Sequence, residues 1–213
     1  MSAIKALLVD LDGTLVDTSE ANYRAYAAAL ATVEVTLDRS WWKANADGRN
    51  WRQFLPELLT DTPEATLGLI AAEKARRYPS MLGYTRLNEA LACLIRSARP
   101  GLRTALVTTA SHQNVTAVLA HHDIAGLFDT IVTGSDVDRH KPAPDAYLLA
   151  AERLGVAPTD CIAFEDMDIG EQAAIAAGAQ CIRVSFKPAS DCLATEPTTA
   201  VRPDHQHTSG RPL

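Results

Sequence analysis

The sequence predicts an α/β protein: a parallel sheet flanked by helices and interrupted by an all-helical insert. Three observations carry that reading. Short apolar runs at residues 4–9, 104–107 and 161–164 each end abruptly in a polar residue, Asp10, Thr108 and Glu165. Runs that are hydrophobic without alternation suit strands buried on both faces, as in parallel sheets. Beyond residue 104, strand-like runs alternate with helical periodicity, which implies βαβ units. Between residue 18 and about residue 84 the strand pattern disappears.

Taken in order, residues 4–9 form the first strand. Asp10 falls at its carboxyl end, where open α/β sheets place their ligands, and Gly13 lets the backbone turn away sharply. Residues 20–32, rich in alanine, read as a helix that Thr18 or Ser19 can cap. Trp51, Phe54, Leu55, Leu58 and Leu59 stand at helical spacing, and residues 63–78 form the next helix, with Pro63 near its first turn. These segments make an insert over 18–84, hinged near Asp17 and residues 83–86. Residues 87–98 are helical and stop at Pro100 and Gly101. Strands at 104–107, 130–132, 161–164 and 180–184 then alternate with helices at 113–121, 143–154 and 170–177. The core is expected to comprise residues 1–17 and 85–186. Residues 187–213, rich in Pro, Thr, Asp and His and without periodicity, read as a flexible tail. Its His205 and His207 are too few ligands for a metal site.

The composition is that of an ordinary globular chain. The 213 residues are 47% hydrophobic and 22% charged, with a net charge of −6. A mildly acidic chain without a basic stripe argues against nucleic-acid and acidic-membrane partners. Cys93, Cys161, Cys181 and Cys192 form no C-x-x-C pair and read as reduced, small apolar residues of a cytoplasmic protein. No apolar run is long enough to span a membrane, and Asp10 and Asp12 interrupt the first one too early for a signal peptide. A monomer or homodimer is expected.

Several polar residues fall where chemistry is done. Asp10 and Asp12 can hold a divalent cation, and a carboxylate can attack phosphorus; the plainer reading is a pair of turn residues. Thr108 can donate to a phosphoryl oxygen, while Thr109 or Ser111 can cap the next helix. Pro142 and Pro144 hold Lys141 in non-helical backbone, where its point charge can neutralise a phosphoryl group. The adjacent carboxylates of Glu165 and Asp166 are costly at a strand end unless exposed or bound to a cation. Gly170 and Gly178 read as loop geometry and helix termination. Trp41 and Trp42 read as core.

Four segments together resemble the motifs of the haloacid dehalogenase superfamily in its phosphatase form. The first is Asp-Leu-Asp-Gly-Thr-Leu-Val-Asp-Thr, from Asp10 to Thr18. Thr108 with Thr109 matches the second, and Lys-Pro-Ala-Pro-Asp, from Lys141, the third. Phe-Glu-Asp-Met-Asp-Ile-Gly, from Phe164, matches the fourth, with Met167 where a small or polar residue is usual. The resemblance implies a Rossmann-like core with an inserted α-helical cap domain, as in phosphoglycolate phosphatases and β-phosphoglucomutase. It implies Asp10 as the nucleophile that forms an aspartyl-phosphate and Asp12 as the acid and base. It also implies Thr108, Thr109 and Lys141 as the phosphate grip. Mg²⁺ is implied on Asp10, the Asp12 backbone carbonyl and Asp166, with Glu165 close by. The substrate implied is a small phosphorylated metabolite, a sugar phosphate or phosphoglycolate. Gly48 and Arg49 match the cap loop that reaches the active site in related enzymes, although Arg49 can equally be a solvated loop residue.

The complete acid set favours phosphate chemistry over dehalogenation, because attack on carbon leaves no alkoxide to protonate. A phosphonate hydrolase would need a cap lysine for a Schiff base, and Lys43 reads better as a surface residue. A sugar-phosphate mutase of the β-phosphoglucomutase type would often carry a His where Asn22 stands. A non-catalytic phosphometabolite-binding protein would be expected to have lost Asp10, Asp12 or Lys141.

Overall fold

The computed structural model describes residues 3–186; the expected tail, with Cys192, His205 and His207, lies outside them. Five parallel strands form the central sheet: β1 (Ala6–Val9), β4 (Arg103–Val107), β5 (Thr130–Val132), β6 (Cys161–Glu165) and β7 (Gln180–Arg183). Their order is β5-β4-β1-β6-β7. The chain builds outward from β1 through β4 to β5, then crosses to lay β6 on the other side of β1. This reversal opens a crevice at the carboxyl ends of β1 and β6, the place where such sheets bind ligands. The register sets Val9 beside Leu106 and Phe164. The residues that follow these three strands therefore converge.

Strand side chains alternate between the two faces, and each face has its own helices. Leu7 and Val9 face Leu106, Phe164 and the buried residues of α5 (Glu89–Ala98) and α6 (His112–His121). Ala6 and Leu8 face Ala105, Val107, Ala163 and the alanines of α7 (Asp145–Leu154) and α8 (Asp168–Ala177). The small residues let α7 and α8 sit close on the sheet, near the site.

The helical insert leaves the core at β2 (Val16–Asp17) and returns at β3 (Arg86–Leu87). The two pair antiparallel, with an Arg86–Asp17 salt bridge of 2.7 Å. The sequence showed no sign of this ladder; two residues per strand carry no periodicity. The expected helix over 87–98 starts two residues late because Leu87 belongs to β3. The insert comprises α1 (Ser19–Leu30), α2 (Arg39–Asn45), α3 (Trp51–Leu58), α4 (Glu64–Arg77) and a 3-10 segment, Tyr78–Tyr84. Helix α2 was not expected. Its signal is local: the Asp38 side chain accepts from the Trp41 amide and caps it. These helices share a separate apolar cluster around Tyr26, Trp42 and Phe54, whose rings meet at 5.0–5.6 Å. Burying a side chain such as Phe54 contributes about 1.5–3 kcal/mol. Trp42 is core, as read. Helix α1 belongs to both units: Ala21 and Ala25 pack on the sheet side, Tyr26 and Leu30 in the insert. Among the described residues no helix is long and apolar enough to cross a membrane. Cys93, Cys161 and Cys181 are free.

Candidate active site

Asp10 follows β1 and is buried. Its Oδ1 accepts from the Lys141 ammonium at 2.7 Å. Lys141 lies on the loop before α7 and donates also to Glu165 Oε1 at 2.6 Å and to the Val107 carbonyl at 2.9 Å. An ammonium has three donors, and all three are used. Burial by itself would depress the Lys141 pKa, but the Asp10 and Glu165 charges outweigh it and keep the ammonium charged. Glu165, at the end of β6, also accepts from the buried Tyr147 hydroxyl. Burial and the Asp10 charge push Glu165 up to about 7 against the pull of Lys141. Burial and Asp10 likewise push Asp166 up to about 6.

Asp10, Glu165 and Asp166 each offer a carboxylate oxygen, and these oxygens lie within 4.8 Å of one another. Three carboxylates face one ammonium, so the cluster holds more negative than positive charge. An all-oxygen set of this kind suits a hard divalent cation such as Mg²⁺.

Two glycines make room for the carboxylates. Gly13 has φ +83°, and a Cβ there would come within 2.1 Å of Asp166 Oδ2. A Cβ on Gly170 would come within 2.1 Å of Glu165 Oε2. Gly170 was read as loop geometry; it lies inside α8, which begins at Asp168, and its reason is the Glu165 carboxyl packed against the helix. Gly178 terminates α8 in a left-handed conformation, as read.

Asp12 is turned toward the insert. Its Oδ1 accepts from Thr18 Oγ1 at 2.5 Å, and its Oδ2 accepts from Thr108 Oγ1 at 3.4 Å. Thr18 occupies the cap position of α1, but its hydroxyl serves Asp12 and makes no cap bond. Asn22 Nδ2 donates to Thr18 Oγ1 at 3.2 Å. Burial raises the Asp12 pKa, opposed by the Thr18 hydrogen bond. Thr108 is buried just after β4; Thr109 is exposed beside it. Ser111 caps α6 by accepting from the Asn114 amide.

Lys74, on α4, falls at the helical spacing of the buried Leu67 and Ile70, but no motif marks it as functional. It is buried, with Nζ 4.3 Å from the Tyr78 ring centre. Among the described residues it has no ion-pair partner. Burial pulls its pKa down to about 8, partly offset by the Asp12 charge. A buried cation without an anion is costly, and this one is close enough to feel Asp12.

The loop after α2 also reaches the core. Gly48 has φ +74°, and a Cβ on it would come within 2.7 Å of Met167 Sδ. The unusual Met167 thus packs under this loop. Arg49 points elsewhere: its guanidinium pairs with Glu57 at 2.6 and 2.9 Å and donates to the Asn45 carbonyl. Lys43 is exposed. A cleft of about 450 Å³ opens beside Gly13, Asp17, Asp166 and Arg183. Another of about 560 Å³, lined by Lys5, Arg99 and Arg103, lies at the amino ends of β1 and β4 and holds none of these groups.

The haloacid dehalogenase-like hydrolase family model matches residues 4–178. The chain belongs to that family. Fructose-1-phosphate phosphatase YqaB of Escherichia coli (strain K12) is 35% identical to this hydrolase over 181 residues, which is 84% of this chain and 95% of that protein. Hexitol phosphatase A of the same organism is 36% identical over 192 residues, 85% of this chain and 83% of that protein. The crystal structure of CbbY from Rhodobacter sphaeroides in complex with phosphate superposes with a TM-score of 0.77 at 29% identity, covering 92% of this chain and 91% of that one. The enzyme class expected from the motifs, a phosphatase of this family, agrees with these relatives.

Proposed function

We propose that this enzyme hydrolyses the phosphomonoester of a small sugar or sugar alcohol through an aspartyl-phosphate on Asp10. The observation that carries the reading is the buried Asp10 carboxylate held by Lys141, which Glu165 anchors in turn, with the Asp12 carboxyl two residues away. Asp10 attacks phosphorus while the bond to the leaving oxygen breaks. Asp12, whose raised pKa favours the acid form, gives its proton to that oxygen. Water then attacks the acyl phosphate, Asp12 takes the proton from that water, and Asp10 is regenerated with release of phosphate. Lys141 and Thr108, with Thr109 beside it, supply positive charge and a hydroxyl to the transferring group; positioning and charge neutralisation dominate such reactions. Asp10, the Asp12 carbonyl, Asp166 and Glu165 would hold Mg²⁺, which when bound neutralises phosphoryl charge.

The helical insert over 18–84 is the cap. It presents Lys74 and the Gly48 loop toward the crevice, and closing it excludes water from the first step. Lys74 meets a hydroxyl or a second anionic group on the leaving side of the substrate. Relatives named for fructose-1-phosphate and hexitol phosphates support a polyhydroxylated leaving group. Arg49, paired with Glu57, sets the shape of the cap loop.

The test is phosphate release from a panel of sugar, polyol and two-carbon phosphates with Mg²⁺, with EDTA and Asp10→Asn as controls. Release on sugar or polyol phosphates, lost in both controls, is expected. Release insensitive to Asp10→Asn would refute the mechanism, and isomerised product without free phosphate would establish a mutase. Lys74→Met is expected to raise KM by about tenfold or more, since a hydrogen bond to a charged group contributes about 1.5–3 kcal/mol.

A further inference from the structure

Asp166 is the least buried of the three clustered carboxylates, and its loop is gripped from outside the motifs. We infer that Arg183 is a positioning residue for the divalent-cation site: its guanidinium clamps the backbone at Asp166 and fixes where that carboxylate meets Asp10 and Glu165. The inference rests on the Mg²⁺ reading proposed above.

Arg183 ends β7, in register with Glu165 of β6. Its Nη2 donates to the Asp166 backbone carbonyl at 2.5 Å. Its Nη1 donates to Asp168 Oδ1 at 2.9 Å and to Glu171 Oε2 at 3.2 Å, both in the first turn of α8. A planar guanidinium can serve a carbonyl and two carboxylates at once; an ammonium offers no such rigid fork. On the opposite side the Asp166 carboxylate abuts Gly13 and accepts from Thr14 Oγ1 at 3.3 Å. The loop is therefore held from two sides. Without Arg183, the Asp168 and Glu171 carboxylates lose the cation between them, and the Asp166 peptide loses its outer tether. Arg183 touches no reacting group and acts through Asp166.

Calorimetric titration of Mg²⁺ into the full chain and into Arg183→Gln tests this, together with the Mg²⁺ dependence of p-nitrophenyl phosphate hydrolysis. Partners of metal ligands typically govern affinity by about 10–100-fold. A partly exposed clamp should fall at the low end, about tenfold weaker binding, with kcat at saturating Mg²⁺ reduced less than the affinity. Arg183→Lys, which keeps the charge without the fork, should show most of the same loss. Unchanged Mg²⁺ affinity in Arg183→Gln would overturn the inference, even if the melting temperature in EDTA fell, because that pattern is purely structural. Full rescue by Arg183→Lys would overturn the clamp as well. A wild-type chain that binds no Mg²⁺ would sink the metal reading, and the inference with it.

Discussion

Gly170→Ala is the sharpest test of the site's packing, because helix propensity and site geometry predict opposite signs. Replacing a helical glycine by alanine normally stabilises by up to about 1 kcal/mol. Gly68 in α4 is such a case: nothing lies within 4 Å of a Cβ placed there, and Gly68→Ala should stabilise by about 0.5–1 kcal/mol. At Gly170 the new Cβ would sit 2.1–2.3 Å from the Glu165 carboxyl atoms, where ordinary contact begins at 3.4 Å. The carboxyl has to withdraw by more than about 1 Å, which breaks its bonds to Tyr147 and Lys141. Disrupting a buried charged pair costs about 3–5 kcal/mol. Net of the helical gain, the variant should lose about 2–4 kcal/mol, and at about 2–4 °C per kcal/mol for a chain of this size the melting temperature should fall by about 5–15 °C. Thermal unfolding in EDTA of wild type, Gly170→Ala and Gly68→Ala reads this directly, and phosphate release should fall with Lys141 displaced. A Gly170→Ala protein as stable as Gly68→Ala, with unimpaired activity, would refute the placement of Glu165 against α8.

Other outcomes follow from the same geometry. Asp12→Ala should lower kcat by about 10²–10⁴-fold, the usual worth of a general acid and base, while leaving Mg²⁺ binding in place; retained kcat would remove Asp12 from proton transfer. Lys141→Met should cost about 10²–10³-fold in kcat, as loss of a preorganised charge does, and a change in KM alone would contradict the reading. In EDTA, stability should fall as pH rises from about 4 to 7: Glu165 at about 7 and Asp166 at about 6 keep protons in the folded protein that the unfolded chain has already released. Mg²⁺ favours the ionised carboxylates, so its stabilising effect should be larger at pH 8 than at pH 5, and an equal melting shift at both would show that these carboxyls do not hold the ion.

The sequence by itself determined the class of fold and which polar residues stand at the ends of its strands. A strand buried on both faces must be continuously apolar, so the polar residue that ends it marks a ligand-facing edge; Asp10, Thr108 and Glu165 were legible for that reason. Lys141 was legible because two prolines restrict the backbone around it. Tertiary structure alone decided the rest. No periodicity announces a two-residue ladder, so β2 and β3 emerged only when their ends met. Thr18 looked like a helix cap because capping is a local property, whereas its bond to Asp12 depends on how α1 leaves the sheet. Gly170 looked like a loop glycine because the carboxyl that requires it arrives from the end of a neighbouring strand. Lys74 lies far in sequence from Asp12 and Arg183 lies one helix beyond Asp166, and neither belongs to a motif. The roles proposed for them rest on distance, and distances between segments that do not touch in sequence are fixed by packing.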